Sequence, residues 1–195
     1  MISVIIFGVI AYLIGSLSSA IIICKLLHLP DPRTQGSMNP GTTNVLRIGG
    51  KIPALITLVG DALKGFLPVF IGQLMGVSGV FLGLIAVTAL LGHIYPIFFK
   101  FKGGKGVATA AGAILALSPI VGIAAVMSWV LVAVIFRYSS LAALVASITT
   151  PIFMLLLGNA NYLLPTLMIT AILIWKHWGN IKRLKSGSES KIIIS

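Results

Sequence analysis

Residues Gly79–Thr109 read GVFLGLIAVTALLGHIYPIFFKFKGGKGVAT, and the change of character two-thirds of the way along decides the fold. From Gly79 to Phe99 there is no Asp, Glu, Lys or Arg. A helix needs roughly 20 such residues to cross the hydrocarbon of a bilayer. Lys100–Gly106 then bring three lysines and three glycines, and small apolar residues resume at Val107. The chain therefore crosses a membrane, turns through a flexible positive loop and re-enters apolar surroundings.

The remainder agrees. Of 195 residues, 58% are hydrophobic and 9% charged, against about 25% charged in a soluble domain. Candidate spans are 3–27, 53–76, 79–99, 107–117, 119–136, 140–158 and 161–178. They predict an all-α integral membrane protein, a seven-transmembrane-helix bundle formed by one domain over residues 1–195. The fourth span is short and meets the fifth at Ser118-Pro119, so those two also fit one bent or re-entrant element. The opening run lacks a preceding basic stretch and has Pro30 where a cleavage site would sit, so it is expected to be a retained first helix. The single cysteine, Cys24, excludes a disulfide framework or a thiolate metal cage.

Charge orients the bundle. With the N-terminus outside and the C-terminus cytoplasmic, loops 28–52, 100–106, 137–139 and the tail lie inside. Those segments and their helix ends hold every Lys and Arg except Lys64, 13 of 14, as the positive-inside rule requires. Trp175 and Trp178 fit an interfacial belt at the end of the last span.

Topology alone does not explain lysines alternating with glycines. GGKGVAT is no Walker A loop, because Gly106 rather than Ser or Thr follows Lys105 and a membrane helix precedes it. The phosphate physics of such loops survives. Glycine permits close backbone approach, consecutive N–H groups form an anion nest, and a helix starting near Val107 aims its free N–H groups at the same point. Lys102 and Lys105, with Gly103, Gly104 and Gly106, thus make a candidate anion site. A second loop, Arg33–Lys51, includes GSMNPGTTNVLR, where Thr42 or Thr43 fits as the cap of a short helix ending at Gly49. Its hydroxyls, amides and two arginines suit phosphate and hydroxyl recognition. The turn chemistry alone fits an ordinary cytoplasmic loop equally well.

Only three carboxylates exist, Asp31, Asp61 and Glu189. Asp61 stands three residues before Lys64 inside a span, which fits a structural ion pair and equally fits a lysine contacting an anion. Asp31, between prolines, reads as a turn residue, and Glu189, in a polar tail, as solvated. His93 fits a packed histidine or a catalyst. His177 is three residues before Asn180 and shares its helix face. Ser140, after Arg137-Tyr138-Ser139, fits a helix cap or an anion contact. No HExxH or paired Cys/His spacing appears, so no metal or cofactor is expected, and neither is a nucleic-acid partner. The H-x-x-x-x-D pattern of a major acyltransferase superfamily is absent too.

The blocks GSMNPGTTNVLR, DALKG, GHIYPIFFKFKGGKGVAT, FRYSS and KHWGNIKRLKSGSE occur in this order along nearly the whole chain. Together they resemble the bacterial acyl-phosphate:glycerol-3-phosphate acyltransferases, the PlsY family. Two departures stand out. Met38 occupies a position where the family usually has glycine, and GSLSSA near Gly15 departs from a commoner proline-containing form. The resemblance implies acyl transfer from acyl phosphate to the 1-hydroxyl of glycerol 3-phosphate, the first step of phospholipid biosynthesis, giving lysophosphatidate and inorganic phosphate. It also implies a bacterial inner-membrane protein among membrane lipids, its site facing the cytosol. Ser37, Lys105, His177 and Asn180 are then expected as catalytic residues. Asn39, Gly41, Thr43, Asn44, Arg47, Lys64, His93, Lys102, Gly103, Gly104, Gly106 and Ser140 are expected to bind substrate. The competing expectation is a transporter or flippase for phosphorylated metabolites.

Overall fold

The structure, a computed structural model, describes residues 2–192, which form ten α-helices and no strand. These are α1 (Ile2–Gly15), α2 (Ser19–Leu26), α3 (Thr42–Gly49), α4 (Lys51–Leu74), α5 (Gly79–Ile94), α6 (Val107–Leu117), α7 (Pro119–Phe136), α8 (Ser139–Leu157), α9 (Leu163–Lys176) and α10 (Trp178–Lys185).

Five apolar stretches are long enough to cross a membrane: Ile5–Leu26, Lys51–Leu74, Gly79–Phe99, Pro119–Phe136 and Ser139–Leu157. Val107–Leu117 and Ala160–Lys176 are apolar but shorter. At 1.5 Å per residue the 11 residues of α6 reach about 16 Å, near half the hydrocarbon thickness. α6 and α7 are separate helices rather than one bent element. Ser118 is extended and Pro119 opens α7, where its missing N–H costs nothing.

The first span departs from expectation. Instead of one helix over 3–27, the chain breaks at Ser16-Leu17-Ser18 between α1 and α2. A carbonyl freed inside a membrane needs an internal partner. Lys64 Nζ supplies one, donating to the Leu17 carbonyl at 2.7 Å. The tail departs as well, because Trp178–Lys185 continues as a helix after the last span.

Two helix pairs lock through reciprocal glycines. A Cβ on Gly65 of α4 would overlap the Thr109 carbonyl of α6, and one on Gly112 of α6 would overlap the Ala62 carbonyl of α4. Gly15 and Gly92 do the same between α1 and α5, against the Ala89 and Tyr12 carbonyls. Main chains in contact gain dispersion that lipid cannot replace. Leu82, Ile85, Leu90 and Ile94 of α5 fill the core beside Val69, Val121 and Met154. Outward residues such as Leu131, Val134 and Leu156 are over 60% exposed, while Thr57, Asp61, Lys64 and His93 are buried. Apolar outside with polar groups inside is the arrangement a bilayer selects.

Candidate active site

Four helix N-termini, each bearing the positive end of a helix dipole, meet at one end of the bundle. α6 starts after Gly106, which is in the left-handed region (φ 89°) and offers no side-chain cap. Its first-turn N–H groups are therefore open. α3 starts after Gly41, and the preceding Pro40 carbonyl lies against Gly104. Thr43 Oγ1 and Ser139 Oγ, 3.0 Å apart, join α3 to the N-terminus of α8. α10 brings Asn180 in its first turn.

Side chains then link these ends. Lys105 Nζ donates to Asn180 Oδ1 at 2.6 Å, and Asn180 Nδ2 donates to Glu189 Oε1 at 2.6 Å. Ser140 Oγ donates to the same oxygen at 2.6 Å, and Arg183 Nε donates to Oε2 at 2.7 Å. Asn180 is 5% exposed and Ser140 6%, so this chain is shielded and its bonds are strong. Burial pushes the Lys105 ammonium down to about 8; Glu189 opposes that shift, while Arg183, Arg47 and Lys176 add to it. Burial works against the Glu189 carboxylate, but the hydrogen bonds from Ser140, Asn180 and Arg183 prevail and hold it below the usual carboxylate range.

Glu189 is the candidate-site residue that the sequence reading missed. It is no solvated tail residue but lies 10% exposed at the centre of the cation cluster. Its carboxylate takes three donors there because the tail folds back, with Ile192 N–H donating to the Arg137 carbonyl at 2.6 Å. The available signal was chemical: the sole acid in a basic segment, nine residues from Asn180.

The other candidates divide. Arg47, in the last turn of α3, is exposed and forms no ion pair among the described residues, so it is free to meet an anion. Arg33 is spent, gripping Asp31 through Nη2 at 2.6 Å. That guanidinium holds the Asp31 carboxyl below its ordinary range, and the Asp31 carbonyl still makes the expected turn with Thr34. Ser37 and Lys102 are exposed, with Asn39, Gly41 and Gly103 half-buried around them. Asn44 is 1% exposed and fully used, accepting from Ser37 N–H and donating to the Pro32 and Gln35 carbonyls. It shapes the loop and has no donor left for substrate. Thr42 and Thr43 do not cap α3; the cap position is Gly41. Lys64 pairs with Asp61 at 2.8 Å and donates to the Leu17 carbonyl at 2.7 Å, contacts that fit the structural-pair reading. His177 is 3% exposed, and its Nδ1–H donates to the Leu173 carbonyl at 2.8 Å, leaving Nε2 as the free ring nitrogen. His93 lies beneath the loop, its Nε2 against Gly104.

One open volume borders the Lys102–Gly103 loop, and a second lies between two of the long helices. A cavity of about 300 Å³ is lined by Arg33, Met38, Tyr95, Lys102, Gly103 and Lys176. An apolar groove of about 420 Å³ runs between α1 and α5 past Val9, Tyr12, Phe81 and Thr88. The Tyr12 hydroxyl donates to the Tyr95 carbonyl at 2.7 Å, joining the two. Among the described residues no three His, Cys, Asp or Glu side chains come together as a metal site would need.

Residues 5–187 match the family described as glycerol-3-phosphate acyltransferase. The chain is 50% identical over 184 residues to the glycerol-3-phosphate acyltransferase of Coxiella burnetii, covering 94% of this chain and 95% of that relative. It is 54% identical over 182 residues to the enzyme of the same name from Vibrio campbellii, covering 93% and 89%. It is also similar to a crystal structure of PlsY, an integral membrane glycerol 3-phosphate acyltransferase, in its glycerol 3-phosphate form. The TM-score is 0.92 at 39% identity, over 97% of this chain and 95% of that one. The lysophosphatidic acid form gives 0.90 at 38% identity.

Proposed function

This chain belongs to the glycerol-3-phosphate acyltransferase family, and from that membership we propose that it transfers an acyl group from acyl phosphate to the 1-hydroxyl of glycerol 3-phosphate. The products are 1-acylglycerol 3-phosphate and inorganic phosphate. The observation that carries the reading is the Lys105–Asn180–Glu189–Ser140 chain among converging helix N-termini. It is a site made for anions, with hydroxyls and amides beside the charges.

One phosphate lies on Gly103–Gly106 with Lys105, Ser37 and Asn39. Arg47, Ser140, His177 and Asn180 position glycerol 3-phosphate. Ser140 Oγ, its proton given to Glu189, presents lone pairs to a glycerol hydroxyl. The acyl chain lies in the groove between α1 and α5, open to lipid. The 1-hydroxyl oxygen attacks the acyl carbon, and the carbonyl electrons move to an oxyanion stabilised by the loop donors. Collapse breaks the bond from the acyl carbon to the phosphate oxygen. The hydroxyl proton passes to a substrate phosphate, whose second pKa is about 6. The competing base is His177 through Nε2. A His177→Gln enzyme that keeps most of its kcat supports the substrate phosphate, and complete loss with intact folding supports the histidine.

The protein sits in a bacterial inner membrane with this site toward the cytosol, the side that holds 13 of its 14 basic residues. The deciding assay supplies purified protein with acyl phosphate and glycerol 3-phosphate and follows phosphate release and lysophosphatidate. Lys105→Ala lowers kcat/KM at least 100-fold, whereas Lys182→Ala changes it less than threefold. Equal losses would sink the loop assignment, and no product with any acyl length would turn the reading to transport.

A further inference from the structure

His93 is 5% exposed, and the phosphate loop is laid directly over it. A Cβ at Gly103 would overlap the His93 carbonyl, and one at Gly104 would overlap its ring at Nε2. The ring is fixed from behind. Its Nδ1 is 3.2 Å from Thr109 Oγ1, in the first turn of the helix that the loop feeds. It also faces Asp61 Oδ1 at 3.7 Å. Asp61 is 2% exposed and pairs with Lys64 at 2.8 Å, and Lys64 in turn holds the Leu17 carbonyl at the break between α1 and α2. A buried ion pair inside a membrane is expensive, and here the oxygen that Lys64 holds also faces a histidine under the loop.

We propose that His93 is a positioning residue, the floor that sets where the Gly103–Gly106 backbone stands, and that Thr109 and the Asp61–Lys64 pair hold it in place. The proposal rests on the reading of that loop as a phosphate site. His93 takes no proton from substrate, and its effect reaches the reaction through the loop.

The test is steady-state kinetics of purified protein with acyl phosphate and glycerol 3-phosphate, alongside thermal unfolding. His93→Ala raises the KM of at least one phosphate-bearing substrate tenfold or more, while kcat falls by a smaller factor. His93→Asn, whose amide stands where Nδ1 stood, recovers at least a third of the lost kcat/KM. Thr109→Val moves the same KM in the same direction. Leu82→Ala, in the core of the helix that carries His93, lowers Tm and leaves both KM values within twofold. Should His93→Ala fail to fold, His93→Asn and Thr109→Val carry the test. Both KM values staying within threefold, a loss confined to kcat, or Asn rescuing no better than Ala overturns the proposal. Lys105→Ala without effect overturns the loop reading itself, a separate result.

Discussion

At Lys105 burial pushes the ammonium down to about 8, so its charge is conditional within an ordinary pH range. Below that value the group is charged and available to the proposed phosphate, and above it the group is neutral. Because kcat/KM reports the free enzyme, it declines on the alkaline side with a pKa near 8. Lys105→Arg keeps its charge and removes that limb up to at least pH 10. Since Glu189 raises the Lys105 pKa, Glu189→Gln moves the limb to lower pH. A limb unmoved in both variants means that another group titrates. Met38 is the other residue with a clear test. It has φ 55°, in the left-handed region, where the resemblance drawn from the sequence leads one to expect glycine. The loop keeps a glycine conformation with a side chain in it, at a cost of roughly 1–2 kcal/mol. Met38→Gly therefore stabilises by up to about 1 kcal/mol after its unfolded-state entropy, and β-branched Met38→Val destabilises by about 1 kcal/mol or more. Thermal unfolding in detergent checks both.

Among elements, the α4–α6 contact is the most sensitive. Gly65 and Gly112 each face a partner carbonyl with no room for a methyl group. Overpacking of this kind costs about 1–3 kcal/mol, so Gly112→Ala lowers Tm by several degrees. Gly8→Ala, in a helix with open space around it, leaves Tm unchanged or higher. Equal effects would show that lipid rather than main-chain contact holds the pair. The sequence showed such elements unevenly. Spans 107–117 and 119–136 coincide with α6 and α7 because Gly106, Ser118 and Pro119 punctuate the chain locally. The break at Ser16–Ser18 was illegible because it depends on a lysine 47 residues away. Gly104, Lys105 and Asn180 were readable as candidates from residue type and spacing, and Lys105 does meet Asn180. Glu189 was not, because only the folded tail reveals that its carboxylate faces Ser140 and Asn180.

For the whole molecule, the asymmetric distribution of Lys and Arg predicts one orientation. In a Cys24→Ser background, single cysteines replacing Ser78 and Asn159 react with an impermeant maleimide on intact cells. Cysteines replacing Lys100 and Lys185 react only after the membrane is opened. The reverse pattern would overturn the proposed topology. The folded-back tail gives the molecule a timetable. His177, Asn180 and Glu189 leave the ribosome after every long helix has been made, and Glu189 then ties Ser140 to Asn180. A chain halted before His177 would insert into the bilayer yet lack His177, Asn180 and Glu189. On the proposed function, catalytic competence is thus withheld until translation has passed the last helix, and a stalled fragment is expected to be inactive in the acyl-transfer assay.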